Sequence, residues 1–412
     1  MPDGIYKRHV SGLVAEALDY SPAVFLMGAR QVGKSTLVER IAAERSVDDV
    51  VTLDDRSVRE AARADPAGFV AARSGSTVID EVQRVPDLLL AIKRDIDRER
   101  RPGRFLLTGS ANVLTAPAVN DALTGRAALV TLWPLAQSEL SGSGRNLVDA
   151  LFAGAPPNVS DAPIGRDAFV EPVVKGGYPE AVRLGARARR RLLTDYVRST
   201  LERDLRDIAT ARNLDAMPRL LRLIASRAGS AYNVSSVTKA LGLARGTVHD
   251  YTRLLETVFL VKRIPAWRPG LGGREIHAPK LYLVDSGLHA AVLGADVERI
   301  AGDDQLTGPL LESFVAMEIA RHVDWAETAA AQYHYRDRRE EIDVVLEAAS
   351  GDLVAVEVKA SATVRPSDWR PIRRLRDARG SAFRAGLILY AGAETVALSD
   401  RIWAVPISGL WL

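Results

Sequence analysis

The feature that most constrains the fold is a segment with glycine, lysine and serine at fixed spacing, placed between an apolar run and a helix-like stretch. The spacing GxxxxGK[ST] is typical of a phosphate-binding loop between a strand and a helix. Its glycines let backbone N–H groups turn towards phosphates, its lysine supplies a positive charge, and its serine hydroxyl is a Mg²⁺ ligand. The segment and the next residue comprise Gly28, Ala29, Arg30, Gln31, Val32, Gly33, Lys34, Ser35 and Thr36. We therefore expect ATP and Mg²⁺ to bind here.

A second apolar run, Thr77–Ile79, ends in an acidic pair, Asp80 and Glu81. At the end of a strand beside a phosphate loop, the first acid can hold Mg²⁺ through its water shell and the second can polarise the attacking water. Acidic pairs also follow strands by chance, so the interpretation depends on the position of this pair downstream of the loop. It predicts Asp80 in the Mg²⁺ site and Glu81 as a catalytic residue.

A third apolar run, which begins at Arg104, ends in small polar residues. Thr108, Ser110 or Asn112 are candidates to contact the γ-phosphate, and a simple Gly-Ser turn after a core strand is the alternative. Arg126 is a candidate arginine finger that acts either within its own chain or on a neighbour. An action on a neighbour would require a homo-oligomer, and a surface arginine without this role is the alternative.

The order of patterns along the 412 residues predicts several domains. Short apolar runs alternate with helix-like stretches over residues 1–140, which predicts an α/β domain with a parallel sheet. Residues 141–230 begin with a Gly/Ser/Pro-rich linker and continue with Leu/Arg-rich helices. Residues 231–300 are predicted to form two helices, the first capped by Ser235 or Ser236, and then a hairpin, as in a winged helix. Residues 301–412 are predicted to form a second, smaller α/β domain.

Carboxylates and a lysine recur in this last segment. Glu357 and Lys359 alternate with valines along one strand, so they share a face, and we expect the valines to form the core. Two carboxylates on adjacent strands, here Asp343 and Glu357, can hold Mg²⁺, and a nearby lysine can orient the attacking water. Glu312 on the preceding helix could add a metal ligand. A solvated strand face is the alternative interpretation of the Glu-Val-Lys pattern.

The motifs GARQVGKST, TVIDEVQRVPDLL, FLLTGSAN, GGYPE, TLERDLRDI, KLYLVDSGL and GPLLESFVAMEI together resemble prokaryotic AAA-type ATPases with an AAA_14-like core and a C-terminal DUF4143 region. The resemblance covers nearly the whole chain. It implies an AAA-like P-loop core, a winged helix and a PD-(D/E)xK nuclease-like domain. In that domain Asp343 would be the first acid, and Glu357 and Lys359 the second motif. Ile342 stands where the nuclease pattern has proline, a residue without a chemical role.

Composition limits the other partners. The formal net charge is only +3, so DNA or RNA contact would depend on local patches such as the arginines between Arg365 and Arg379. A solvated helix face is the alternative for those arginines. The chain has no cysteine, and its N-terminus carries no signal-like apolar segment. Because it also lacks a run of roughly 18 apolar residues, we expect no membrane span. These features predict a cytoplasmic protein.

Three functional hypotheses remain open from the sequence. The first is an ATPase coupled to a nuclease-like domain that acts on nucleic acid. The second is an ATP-dependent regulatory switch, of the defence or toxin–antitoxin type, that acts through a protein partner with a nuclease fold that does not cut. The third is a DNA-binding regulator with ATP as a ligand only, and Glu81 argues against it because a pure binder needs no water-activating acid.

Overall fold

The computed structural model describes residues 6–109, 123–205, 214–269, 277–337 and 340–411. The chain divides into two compact units, the first made of Met1–Pro134 with Thr257–Phe259 and the second of Leu135–Glu256 with Leu260–Leu412. Among the described residues, no helix is both long enough and apolar enough to cross a lipid bilayer. The finer divisions predicted near residues 230 and 300 remain predictions.

The first unit contains a five-stranded parallel sheet with the strand order β2-β3-β4-β1-β5. Its strands are β1 (Ala23–Gly28), β2 (Asp49–Thr52), β3 (Thr77–Asp80), β4 (Phe105–Gly109) and β5 (Ala127–Leu132). Its helices are α1 (Val10–Tyr20), α2 (Lys34–Arg45), α3 (Arg56–Ala64), α4 (Pro66–Ala71) and α5 (Leu88–Arg98). The parallel α/β architecture predicted for this part of the chain is therefore confirmed.

The apolar runs form strands because they are covered by helices. Strands β3 and β4 are buried along their whole length, as expected for a parallel sheet with crossover helices. Phe25, Ile79 and Phe105 lie in one apolar cluster with residues of α5. The Asp55 carboxylate caps α3 by accepting hydrogen bonds from Ser57 N and Val58 N, which fixes where that helix begins.

The second unit begins with short helices and ends with a six-stranded sheet. Its helices up to the hairpin are α6 (Gln137–Ser141), α7 (Leu147–Phe152), α8 (Val170–Lys175), α9 (Ala186–Ser199), α10 (Met217–Ser226), α11 (Val234–Leu241) and α12 (Arg245–Thr257). A π-helical turn, Thr200–Asp204, directly follows α9. The helices predicted over the Leu/Arg-rich segment are thus present, and the predicted linker also contains α7, which begins after the capping residue Asn146.

The two helices and the hairpin predicted within residues 231–300 are present as secondary-structure elements. Gly242 ends α11 in a left-handed conformation (φ 69°), and α12 follows. The cap of α11 was predicted wrongly, because Asn233, not Ser235 or Ser236, accepts the hydrogen bond from Ser236 N. Strands β6 (Val261–Ile264) and β7 (Lys280–Leu283) then pair antiparallel as a hairpin.

The C-terminal part of this unit places three helices beside a mixed sheet. The helices are α13 (Ser286–Leu293), α14 (Val297–Gly302) and α15 (Asp304–Asp324). The strands are β8 (Ala330–Arg336), β9 (Glu341–Ala348), β10 (Leu353–Lys359), β11 (Phe383–Tyr390), β12 (Val396–Ser399) and β13 (Ile402–Pro406), in the order β12-β13-β11-β10-β9-β8, and helix α16 (Arg370–Arg379) precedes β11. The last two strands were not expected from the sequence.

The valine face of β10 was predicted to form core, and Val354 and Val356 are buried, but the opposite face is buried as well. All residues from Leu353 to Glu357 are buried, including Ala355 and Glu357 on the other face. Both α15 and α16 contact β10. The face that carries the charged residues is therefore enclosed, which removes the interpretation of this pattern as a solvated strand face.

Candidate functional site

The phosphate-loop segment joins the end of β1 to the beginning of α2. Only glycine fits at position 28, because a Cβ atom there would lie 2.3 Å from the carbonyl oxygen of Leu132. Gly33 has φ 94° and precedes the first residue of α2, a conformation that side chains with a Cβ rarely adopt. The two glycines, one at each end of the loop, are therefore required for different structural reasons.

Lys34 is buried at the first position of α2. Its Nζ donates hydrogen bonds to the carbonyl oxygens of Gly28 (3.1 Å) and Ala29 (2.9 Å). These contacts hold the ammonium at the N-terminus of α2, where the helix dipole also favours an anion. Of the other loop residues, Ala29 and Val32 are buried, Ser35 is partly buried, and Arg30, Gln31 and Thr36 are exposed.

Asp80 lies at the end of β3 and is held by three hydroxyl groups. Ser35 Oγ lies 3.0 Å from Asp80 Oδ2 and 3.2 Å from Oδ1. Thr52 Oγ1 is 3.3 Å from Oδ2, and Thr108 Oγ1 donates to Oδ1. A serine hydroxyl beside a buried carboxylate is a hard-oxygen donor set, which fits Mg²⁺. The structure thus brings together the two Mg²⁺ residues predicted in this domain.

Glu81 follows Asp80 in a left-handed conformation, φ 59° and ψ 43°. Non-glycine residues adopt this conformation infrequently, and such positions cluster at functional sites. Its backbone N–H donates to Thr108 Oγ1 at 3.0 Å, and Gln83 Nε2 donates to its carboxylate. Thr108 was predicted only as one of three candidate phosphate contacts. The structure shows it holding both acidic residues.

Arg8 is a residue of this site that the sequence patterns did not reveal. It is buried just before α1, and its guanidinium donates to the carbonyl oxygens of Val32 (2.7 Å) and Trp133 (2.6 Å). These two bonds connect the phosphate loop to the chain that follows β5. An isolated arginine near the N-terminus carries no motif, so only its spatial position identifies it.

Arg126 does not reach the phosphate loop of its own chain. It precedes β5, where Ala127 pairs with Ala23, whereas the loop leaves the other end of β1, where Gly28 pairs with Leu132. Six strand residues at ~3.3 Å each separate these ends. Arg126 instead forms a bidentate ion pair with Asp97. The predicted finger role within its own chain is therefore wrong. Ser110 and Asn112 lie outside the described residues.

The second unit contains a carboxylate centre, a cluster of buried and half-buried acidic side chains around one buried ammonium. Helix α15 contributes Glu312, and β9 contributes Glu341 and Asp343. All three contact the ammonium of Lys280, the first residue of β7, at 2.7 Å (Glu312 Oε1), 2.7 Å (Glu341 Oε1) and 3.4 Å (Asp343 Oδ1). Asp343 Oδ2 also accepts the backbone N–H of Val358 at 3.0 Å.

Glu357 and Lys359 form the other half of this centre on β10. Lys359 Nζ lies 2.9 Å from Glu357 Oε1. Glu357 is 9% exposed, and its second oxygen, Oε2, has no hydrogen-bond partner. The predicted set of Glu312, Asp343, Glu357 and Lys359 is thus gathered in one region, with Lys280 as an additional member.

The charges of this centre shift one another's protonation. Burial raises the pKa of Glu357 to about 8, with the charge of Asp343 acting in the same direction and Lys359 opposing it. Burial also raises the pKa of Glu312 to about 7, again assisted by Asp343 and opposed by Lys280. Burial opposes the charged form of Lys280, but the surrounding carboxylates outweigh it and raise the pKa. Lys280 therefore stays cationic.

Lys280 and Glu341 were missed as site residues. Lys280 begins an otherwise apolar strand, KLYLV, and an ionisable residue in such a strand is a candidate for a buried ion pair. That signal was available, but it does not reveal the partner. Within the described ranges, no group of three or more aspartate, glutamate or histidine residues is arranged to hold a metal ion.

The arginines of α16 lie partly in ion pairs. Arg370 and Arg374 both approach Glu340, Arg376 contacts Asp377, and the guanidinium of Arg373 lies over the ring of Trp369. Arg370 and Arg374 nevertheless keep more than half of their side-chain surface exposed, 52% and 61%. The helix therefore presents a basic surface next to β10.

Comparison with protein families divides the chain into three matched segments. Residues 20–141 match the AAA domain (AAA_14), residues 166–299 match the Domain of unknown function (DUF8612), and residues 307–410 match the Domain of unknown function (DUF4143). The two helices α11 and α12 and the β6–β7 hairpin lie in the DUF8612 match.

Two curated relatives and two solved structures show similarity. The uncharacterized protein Rv2008c of Mycobacterium tuberculosis is 28% identical over 410 residues, which span 98% of this chain and 84% of the relative, and Mb2031c of Mycobacterium bovis matches equally. The Walker-type ATPase paby2304 of Pyrococcus abyssi is 15% identical with a TM-score of 0.43, covering 70% of this chain and 96% of its own. A RuvB variant of Thermotoga maritima is 18% identical with a TM-score of 0.29, covering 62% and 89%. The phosphate loop lies inside the segment that matches the AAA domain, and the C-terminal sheet lies inside the segment that matches DUF4143.

Proposed function

We propose that this protein is a Mg²⁺-dependent ATPase whose AAA domain is coupled to a nuclease-like C-terminal domain that interacts with nucleic acid. The observation that supports the ATPase assignment most strongly is the convergence of Lys34, Ser35 and Asp80 at the carboxyl ends of β1 and β3. In open parallel sheets, ligands bind at this edge. A helix N-terminus, a buried lysine and a hydroxyl–carboxylate pair meet at this position.

The residues of the site have separate roles in the proposed reaction. Loop N–H groups and Lys34 bind the phosphates, and Ser35 and Asp80 would hold Mg²⁺. The ion would supply charge neutralisation on the transferring phosphoryl group. Glu81 would accept a hydrogen bond from the attacking water and orient it. Thr108 fixes the positions of Asp80 and Glu81 relative to each other, because its hydroxyl contacts both residues.

The proposed nucleic-acid interaction rests on α16 and on the nuclease-like arrangement next to it. Exposed guanidinium groups such as those of Arg370 and Arg374 can neutralise phosphates. The helix α12 is less basic, with exposed Arg245, His249 and Arg253. Nucleic-acid binding through α16 therefore has more support than base-specific DNA recognition by α12.

A second candidate function is the regulatory switch, in which ATP occupancy is detected by a protein partner and the nuclease-like fold does not cut. One observation favours it, namely the ammonium of Lys280 among the carboxylates that would otherwise bind metal. ATP binding and hydrolysis are common to both candidates. They differ in whether the C-terminal domain engages nucleic acid.

The ATPase proposal is tested by nucleotide binding and phosphate release with wild type, Lys34→Ala and Glu81→Gln. We expect Lys34→Ala to weaken ATP binding about 10- to 100-fold, as for loss of a charged phosphate contact. Glu81→Gln should bind ATP normally and hydrolyse it about 100-fold more slowly. The exposed Lys239→Ala serves as the matched control. Unchanged hydrolysis in Lys34→Ala would overturn the assignment.

The nucleic-acid proposal is tested separately, by mobility shift of labelled single- and double-stranded DNA and RNA at several salt concentrations. Replacement of Arg370 and Arg374 by glutamine should weaken binding and reduce its salt dependence. A matched control is Arg56→Gln with Arg40→Gln, which removes two arginines from ion pairs in the first unit. If wild type binds no nucleic acid with or without ATP, the switch becomes the better-supported function.

A further inference from the structure

The ammonium of Lys280 has the surroundings expected of a bound cation. Its side chain is fully buried, and it contacts one oxygen from each of Glu312, Glu341 and Asp343. A buried ammonium is stable only with this kind of compensation. The three carboxylates come from a helix and a strand, whereas Lys280 comes from the hairpin, so the cation is supplied by a different part of the fold.

Oxygens of Glu312 and Asp343 that would face a metal ion already accept hydrogen bonds. Glu312 Oε1 accepts from both Lys280 Nζ and the hydroxyl of Tyr282, the latter at 2.5 Å. Asp343 accepts from Lys280 on one oxygen and from Val358 N on the other. Mg²⁺ requires near-octahedral oxygen ligands at about 2.0–2.1 Å. The same oxygens cannot provide this geometry while they hold the ammonium.

The second oxygen of Glu312 lies close to the backbone at Gly229. Gly229 has φ +80°, and a Cβ atom there would lie 2.4 Å from Glu312 Oε2. The carboxylate is therefore packed between Lys280 and Tyr282 on one oxygen and the chain at Gly229 on the other. Glu312 and Asp343 therefore do not fit a divalent metal ion in this arrangement, in agreement with the absence of a metal-binding group among the described residues.

We propose that Lys280 is the resident cation of the carboxylate centre and takes the place of the metal ion of a nuclease. The ammonium offsets part of the negative charge of Glu312, Glu341 and Asp343 and connects the β6–β7 hairpin to α15 and β9. The C-terminal domain then keeps a nuclease-like arrangement without metal-dependent cleavage. This inference rests on the proposed nuclease-like centre and is independent of the ATPase.

The first test measures Mn²⁺ binding to the full chain in the absence of nucleotide, by electron paramagnetic resonance of the free ion. Wild type and Asp343→Asn are expected to bind the same number of ions per chain, because Asp343 serves the lysine and not a metal. One more bound ion in wild type than in Asp343→Asn would overturn the proposal. This comparison needs no change at Lys280, so it is informative even if Lys280 variants do not fold.

The second test removes the cation. Lys280→Met leaves three carboxylates without their ammonium, and we expect it to gain one Mn²⁺ site that the double variant Lys280→Met/Asp343→Asn lacks. Bound Mn²⁺ should raise the Tm of Lys280→Met more than that of wild type, because a ligand that binds only the native state stabilises it. A folded Lys280→Met that gains no Mn²⁺ site would contradict the proposal.

ATP hydrolysis by the same variants separates this inference from the proposed ATPase. Asp343→Asn should hydrolyse ATP at the wild-type rate, whereas Lys34→Ala should not. Nuclease assays with Mg²⁺ or Mn²⁺, with and without ATP, should show no cleavage that depends on Glu357. Metal-dependent cleavage by wild type that is lost in Glu357→Gln would overturn the assignment of Lys280 as the resident cation.

Discussion

The hydroxyl of Ser35 lies 3.0 Å from Oδ2 of Asp80, although 45 residues separate the two positions in the chain. Ser35 is in the first turn of α2, and Asp80 ends β3, which is separated from β1 by β4 in the sheet. Thr52 at the end of β2 and Thr108 on β4 contact the same carboxylate. Three strands and one helix therefore determine the position of Asp80.

This relationship predicts that Asp80 mainly affects the Mg²⁺ dependence of ATP binding. Asp80→Asn should bind ATP without Mg²⁺ about as well as wild type, because Lys34 and the loop are intact. The increase in affinity on adding Mg²⁺ should fall at least about 10-fold, since a neutral amide holds the ion's water shell less strongly. Calorimetric titrations with and without Mg²⁺ measure this. Asp55→Asn, at the exposed cap of α3, is the control, and an undiminished Mg²⁺ effect in Asp80→Asn would contradict the assignment.

Arg8 is predicted to position the phosphate loop. Arg8→Lys keeps the charge, but a single ammonium cannot reproduce the fork that reaches both Val32 O and Trp133 O. Loss of one such bond corresponds to ~1.5–3 kcal/mol, so we expect the Kd for ATP to rise about 10-fold. At saturating ATP, kcat should change little, a separation that general destabilisation would not produce. Arg45→Lys, which replaces a surface ion pair with Asp19, should leave the Kd unchanged.

The sequence was sufficient to predict the local chemistry of the first site because a phosphate loop is a contiguous motif. Gly28, Lys34 and Ser35 act through the short segment in which they occur. Arg8 and Lys280 could not be identified in this way, because their roles depend on contacts with residues far along the chain. Arg126 shows the converse error, since a plausible residue type lies at the wrong end of a strand.

The C-terminal domain illustrates the same limit. The strand pattern located Asp343, Glu357 and Lys359 correctly on β9 and β10. It did not indicate that helices cover both faces of the sheet, because alternating valines look alike in a sheet with one or two covered faces. Burial on the charged face is what turns an acidic cluster into one that requires an internal cation.

A buried ionic network explains two further motifs, GGYPE and VDSGL. Asp285 accepts hydrogen bonds from Gly177 N (2.7 Å) and Leu288 N (2.9 Å), and it faces Arg321. Asp285→Asn keeps the shape but removes the charge and one acceptor, so we expect a loss of ~3 kcal/mol in the free energy of unfolding. Urea denaturation measures this loss. Asp296→Asn, which replaces the exposed cap of α14, should change stability by less than ~0.5 kcal/mol because asparagine caps equally well.

If Asp285→Asn and Asp296→Asn lowered the free energy of unfolding by similar amounts, the network would contribute little to stability. A matched test uses its other acidic member, Glu318, whose carboxylate contacts Arg321 and accepts the backbone N–H of Gln137 at 2.8 Å. Glu318→Gln should also destabilise the protein. Because both carboxylates contact Arg321, the double variant should lose less stability than the sum of the two single variants.

His289 is predicted to make the stability of the second unit depend on pH. The ring is fully buried in α13, its Nε2 lies 2.8 Å from the carbonyl oxygen of Ala225, and its Nδ1 has no hydrogen-bond partner. Burial lowers the pKa of His289 to about 4. Below about pH 6.5 the unfolded state therefore binds a proton that the folded state does not. The free energy of unfolding falls as the pH is lowered from about 6.5 to about 4.

The full effect of His289 corresponds to ~3 kcal/mol over this window, at 1.36 kcal/mol per pKa unit. His289→Gln keeps a donor for Ala225 O but does not titrate, and loss of the packing of the buried ring should make it less stable than wild type at pH 7. Between pH 6.5 and 4.5 its stability should decline less steeply, and the two curves should converge. Denaturant midpoints measured at half-unit pH steps test this, with the exposed His249→Gln as control. Parallel curves for wild type and His289→Gln would show that the buried imidazole is not the group that titrates.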